Sequence, residues 1–161
     1  MTTVSNRVRK PNEETAVIRE YADIASQYDM RWASYIAATL RETQKRLDIK
    51  PTDRLLDIGC GTGSLLQAIS QKHPSVNLIG LDISREMLKV ACNKQIYRCN
   101  LISGQSQFLP FHSHSFDVVV SCNAFHYWRN PEACLREIAR VLKPQGRIVI
   151  TDWCDDYIAC K

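Results

Sequence analysis

One stretch constrains this chain more than any other: Leu55-Leu56-Asp57-Ile58-Gly59-Cys60-Gly61-Thr62-Gly63. The apolar run of Leu55, Leu56 and Ile58 predicts a buried strand. Glycines at alternate positions predict a tight turn, and Ser64-Leu65-Leu66-Gln67-Ala68-Ile69 opens an amphipathic helix. A strand, a glycine turn and a helix start can dock a small polar ligand, because glycine lets backbone approach ligand atoms and the first helical N–H groups are free. An ordinary turn that holds nothing would read the same way. Spacing narrows the choice of ligand. A dinucleotide turn, G-x-G-x-x-G, needs its third Gly or Ala at position 64, where this chain has Ser64; the third glycine comes one residue early, at Gly63. Asp57 lies two positions before the first glycine, where a carboxylate repels a pyrophosphate and suits a ligand carrying positive charge.

The chain has 161 residues, 45% of them hydrophobic, which fits one globular domain with room for a sizeable core. No apolar run approaches the roughly 18 residues of a membrane span, and the polar N-terminus lacks a signal-peptide core, so a cytoplasmic protein is expected. The net charge is +4, and Arg7, Arg9 and Lys10 precede the first acid, Glu13. Residues 1–12 read as a solvated, flexible arm, not as a specific nucleic-acid contact. The seven cysteines contain no C-x-x-C pair. They are expected to be reduced and mostly buried, with Cys154 and Cys160 the more exposed. The histidines and acids form no ligand-spaced metal cluster, and Asp152, Asp155 and Asp156 read as a solvated chain end.

A helix is expected from Asn12, with Val17, Ile18, Tyr21 and Ala25 on one face. A second is expected over residues 34–47, with Ile36, Leu40 and Leu47 as its buried stripe. Residues 76–82 read as a strand ending in Asp82, 19 positions after Gly63. That is close to the roughly 20 residues expected between a glycine turn and a ribose-binding carboxylate. Ser84 caps a helix over 85–93. Residues 96–103 form a weaker strand, and 115–121 a central, buried one. A helix over 131–142 buries Leu135, Ile138 and Leu142; residues 143–147 close it with a turn, and 148–152 form a fifth strand.

In this order the segments resemble class I S-adenosylmethionine-dependent methyltransferases, in the small-molecule type 11 group that includes quinone-biosynthesis C-methyltransferases. Residues 57–63 match D-x-G-x-G-x-G. Ile24-Ala25-Ser26-Gln27-Tyr28-Asp29 resembles A-x-x-Y-D, and residues 104–111 resemble G-D-A-E-x-L-P-F with Gln105 and Gln107 in place of the acids. Residues 121–126 resemble S-x-x-x-x-H. Residues 135–150 resemble L-x-E-x-x-R-V-L-K-P-G-G-x-L-x-I, with Gln145 for the first glycine.

The resemblance, over about residues 24–152, implies an α/β fold with a Rossmann-like, doubly wound, mostly parallel sheet. It implies S-adenosyl-L-methionine as cofactor, S-adenosyl-L-homocysteine as product, and a small organic methyl acceptor. Tyr28 would lie over the methionine end, beside Asp57, Gly59, Cys60, Gly61 and Gly63. Asp82 would hold the ribose and Ile83 flank the adenine. Gln105 would accept the adenine amino group, more weakly than an aspartate, beside Ser106. Asn123 would complete the cofactor site, and His126 would orient or deprotonate the acceptor; no metal is implied. Residues 13–50 would cover the cofactor site and 51–161 form the core. The family sheet has seven strands, so strands six and seven are expected to be missing, leaving an uncovered edge that favours self-association. Two other readings stay open: a cofactor-binding but inactive or truncated domain, and a nicotinamide oxidoreductase, which Ser64 disfavours.

Overall fold

The structure, a computed structural model, describes residues 11–152, with side-chain environments described from residue 16. The expectations for residues 1–10 and for Cys154, Asp155, Asp156 and Cys160 lie outside the described residues. Three helices lead the chain: α1 (Pro11–Ile24), then after a short 3-10 turn α2 (Tyr28–Arg31) and α3 (Ala33–Arg46). Pro11, expected from the sequence to lie in an arm, already stands in α1; proline's fixed φ suits a helix start. Then follow β1 (Arg54–Ile58), α4 (Ser64–Lys72), β2 (Asn77–Asp82), α5 (Arg85–Asn93), β3 (Cys99–Ser103), β4 (Phe116–Cys122), α6 (Pro131–Val141) and β5 (Leu142–Thr151).

The strands pair in the order β3-β2-β1-β4-β5, and every pairing is parallel. Leu56 of β1 sits between Ile79 of β2 and Val119 of β4. From β1 the chain winds outward to β3, then crosses back to β4. The crevice at the carboxyl ends of β1 and β4 is therefore the topological switch point, where open α/β sheets bind ligands. Strand alternation divides the core. Leu56, Ile58, Ile79, Phe116 and Val119 pack toward α6, while Leu55, Leu78, Val118 and Val120 pack toward α4 and α5.

Two local expectations need correction. Leu135, expected in the buried face of α6, is 42% exposed, and the buried stripe is Cys134, Ile138 and Val141. Asn130 caps this helix through Ala133 N–H, and the resulting phase turns the small Cys134 inward instead of the larger Leu135. Residues 143–147 do not lie outside the sheet. They form an irregularity inside β5: Leu142 pairs with Phe116 and Arg147 with Val118, so the extra residues bulge between the two pairings.

Within the bulge Gln145 has φ +66°, a left-handed conformation that an L side chain resists. Gln145→Gly should stabilise the protein by about 0.5–1 kcal/mol, the strain relieved exceeding glycine's entropy loss. Urea unfolding reads this directly, and a midpoint that does not rise argues against strain there. Strand β3 begins at Cys99, later than residue 96, because Gln95 (φ +50°) and Arg98 (φ +54°) break the extended chain before it.

Candidate ligand-binding site

The end of β1 turns sharply because Gly59 and Cys60 both donate their N–H to Leu81 O, at 2.8 and 3.1 Å. Gly59, Gly61 and Gly63 all have positive φ, yet they do three different things. A Cβ on Gly59 would lie 2.4 Å from Ala124 Cβ, so this glycine lets β1 meet the segment after β4. One on Gly63 would meet Ile96 Cδ1 at 2.8 Å, so Gly63 packs the start of α4 against the α5 side. One on Gly61 would meet nothing within 4 Å; its bare face opens on the cleft.

Two carboxylates stand behind the turn. Asp82 Oδ2 accepts Gly61 N–H at 2.7 Å and its Oδ1 accepts Ser84 N–H at 2.8 Å. Burial raises the Asp82 carboxyl and these N–H bonds pull against that rise. Asp57 is 1% exposed, and its Oδ1 has no hydrogen-bond partner. Burial first, then the charge of Asp82, pushes its carboxyl up to about 8. A buried polar atom without a partner is uncommon in a folded protein, and here it borders a cleft.

That cleft encloses about 1350 Å³, open solvent at its mouth included. Its lining brings together Tyr28, Asp57, Gly59, Cys60, Gly61, Asp82, Ile83, Gln105, Ser106 and Asn123, from five separate segments. Val17, Ile18 and Tyr21 of α1, Ile36 and Leu40 of α3, and Tyr127 and Trp128 after β4 complete the wall. Burial pushes the Tyr28 hydroxyl up to about 12 and that of Tyr21 higher still, so both remain protonated at neutral pH. Burial likewise raises the Cys60 thiol well above its ordinary value. Asn123, at φ +60°, turns its side chain to α3: Oδ1 accepts Tyr35 OH at 2.9 Å and Nδ2 donates to Thr39 Oγ1 at 2.9 Å. Gln105 Oε1 accepts the Gln107 amide at 3.3 Å.

Gly63 and His126 do not line the cleft. The His126 backbone N–H donates to Asp152 Oδ2 at 2.9 Å, and its Nδ1 lies 2.7 Å from Asp152 Oδ1. Its ring stacks obliquely on Tyr127, with centroids 3.9 Å apart. Asp152 is accordingly not a solvated chain end; its side chain is 11% exposed.

Two residues that hold the site were not singled out from the sequence. Glu137 Oε2 accepts Leu109 N–H at 2.8 Å, while Arg140 donates to Leu109 O at 3.0 Å and Phe111 O at 2.7 Å. Arg140 Nε also donates to Glu137 Oε1 at 2.7 Å, and these bonds hold the Glu137 carboxyl below its ordinary range. The pair therefore fixes the loop that carries Gln105 and Ser106. The signal was present as the acid and base of L-x-E-x-x-R, but their partners lie about 30 residues away, beyond local pattern reasoning.

The family described as "Methyltransferase domain" matches residues 56–150. An uncharacterized protein of Methanocaldococcus jannaschii is 37% identical over 142 residues, covering 87% of this chain and 53% of that one. A demethylmenaquinone methyltransferase of Thermotoga maritima is 33% identical over 140 residues, covering 84% of this chain and 60% of that one. Among solved structures, the complex of the Haloferax volcanii Trm112 methyltransferase activator with a methyltransferase matches with TM-score 0.75 and 30% identity, over 81% of this chain and 59% of that one. The chain thus spans little more than half the length of these relatives.

Proposed function

Because this chain belongs to the methyltransferase-domain family, we propose that it binds S-adenosyl-L-methionine and transfers its methyl group to a small organic acceptor, releasing S-adenosyl-L-homocysteine. The observation that carries this reading is the unpartnered, buried Asp57 oxygen beside the bare face of Gly61. A ligand with a cationic amino-acid end satisfies the first and fits against the second, whereas a pyrophosphate would meet a carboxylate.

When bound, the cofactor supplies an electrophilic methyl group on a sulfonium, taken by the acceptor atom in an in-line displacement. Asp57 receives the cationic amino group. Asp82, with lone pairs left beyond the Gly61 and Ser84 N–H groups, accepts the ribose hydroxyl protons. Ile83 flanks the adenine beside Ser106, and Gln105 accepts its amino group in place of the Gln107 amide. Tyr28 covers the methionine end. Cys60 lends backbone and a neutral thiol to the floor, and Gly63 keeps α4 in place behind it. The apolar wall of Val17, Ile18, Ile36 and Leu40 screens the reacting atoms from water, and rate comes chiefly from holding the two reactants aligned. His126, held by Asp152, acts through Tyr127 as a positioning residue for the acceptor. The name of the Thermotoga relative supports an acceptor in the small organic class. The same reading places the protein in the cytoplasm, with self-association through β5, where Ile148 and Ile150 are exposed.

Calorimetric titration tests the proposal. Both adenosyl ligands should bind and NAD should not; failure of both adenosyl ligands rejects the reading. Asp82→Ala should weaken binding by about 1–3 kcal/mol, the worth of lost charge-assisted hydrogen bonds. Unchanged affinity removes Asp82 from the site.

A further inference from the structure

The helices α1 to α3 lie across the cleft and are tied to its two walls in different ways. On one wall the ties are neutral. Tyr21 donates to Tyr127 Oη at 2.7 Å, Tyr35 and Thr39 hold Asn123, and Thr43 Oγ1 meets Cys122 Sγ at 3.3 Å. All of these land on residues 122–127. On the opposite wall, formed by the glycine turn and α5, the tie is charged and runs through Asp29 in the first turn of α2.

Asp29 Oδ2 lies 2.6 Å from Lys94 Nζ, and its Oδ1 accepts from Thr62 Oγ1 at 2.6 Å and Ser64 Oγ at 3.1 Å. Lys94 in turn donates to Ser64 Oγ at 2.8 Å and Thr62 Oγ1 at 3.3 Å. The directions close without conflict. Each hydroxyl gives its one proton to the carboxylate and takes one from the ammonium, and the three ammonium protons find three acceptors. Burial opposes ionisation of Asp29, but the bonds from Lys94, Thr62 and Ser64 outweigh it and hold the carboxyl below its ordinary value. Thr62 and Ser64 flank Gly63, the N-cap of α4, which has no side chain of its own to cap the helix. A carboxylate there also faces the positive end of the helix dipole. The Asp29 side chain remains 40% exposed, so the tie is strong enough to hold and wet enough to break.

Resting on the cofactor reading above, we propose that Asp29 is a positioning residue that fastens the N-terminal helices to the glycine turn through Lys94, Thr62 and Ser64, and that release of this catch gates exchange of the adenosyl ligand. The catch stabilises the closed arrangement whether or not ligand is inside. Weakening it therefore speeds entry and departure together and leaves affinity nearly untouched.

The test uses the full chain and two variants, Asp29→Asn and Lys94→Met. Stopped-flow measurement with S-adenosylhomocysteine should show association and dissociation rate constants each raised about tenfold in either variant, with Kd kept within about threefold. The double variant should add nothing further, because both substitutions break one tie. Hydrogen exchange without ligand should speed up at residues 16–46 and stay unchanged in β1 and β4. Unchanged dissociation in both single variants, affinity lost through slower association, or faster exchange spread through the sheet would each overturn the proposal. If the parent protein binds neither adenosyl ligand, the cofactor reading falls and the exchange pattern alone decides whether Asp29 holds the helices down.

Discussion

Asp57→Asn should weaken binding of S-adenosylhomocysteine by about 3 kcal/mol, roughly a hundredfold, and should stabilise the ligand-free protein at alkaline pH. Both effects come from one buried carboxyl. Burial and the neighbouring Asp82 charge push it up to about 8 in the folded protein, whereas in the unfolded chain it titrates near the ordinary value of about 3.9. Between those values the folded state binds the extra proton, so the parent loses stability as pH rises from about 4 to about 8. The substituted amide cannot ionise and lacks this slope. Urea unfolding at pH 5, 7 and 9 should show the variant overtaking the parent by a margin on the order of a few kcal/mol at the top of the range. A parent-to-variant difference that is flat in pH would show that Asp57 does not titrate in this way. On the proposed reading the ligand supplies the missing counter-charge, so the substitution that helps the empty fold should harm the loaded one.

Gly59→Ala should be the most damaging single change to the fold itself, at about 3 kcal/mol, combining a left-handed conformation with overpacking. Its Cβ would stand 2.4 Å from Ala124 Cβ with φ at +76°, while β1 is paired to strands on both sides and the adjoining Asn123 N–H is bonded to Thr151 O. Thermal unfolding should fall by roughly 6–12 °C for a chain of this size. Gly61→Ala is the matched comparison, because its added methyl meets no neighbour within 4 Å and points into the cleft. It should leave the melting temperature closer to the parent and lower ligand affinity instead. If the two variants melt alike, the contact with Ala124 is not what demands glycine at position 59.

The sheet was legible because its signals are local. Leu55, Leu56 and Ile58 announced β1, the apolar run 118–120 announced β4, and the Ser84 cap set the start of α5 at Arg85. The ten residues that share the cleft were legible through motif resemblance, since the motifs record which strand ends face one another. What escaped depends on partners remote in sequence. Nothing near Asp29 predicts that its carboxylate meets Lys94, and nothing near Glu137 predicts that it receives Leu109 N–H. The direction of His126 was equally hidden. It sits within a 3-10 turn after β4, where neither helical nor strand periodicity applies, and it packs on Asp152 and Tyr127 outside the cleft lining. Gly63 matched the motif letter for letter, yet its bare face serves the packing against Ile96 and Ala91.

Glu137 and Arg140 grip Leu109 and Phe111 much as a neighbouring strand would, so the rim of the cleft next to Gln105 and Ser106 is braced before any ligand arrives. Under the proposed catch, the opposite wall of the cleft is carried instead on helices that unfasten. A ligand reaching the cleft thus meets one finished surface and one hinged surface.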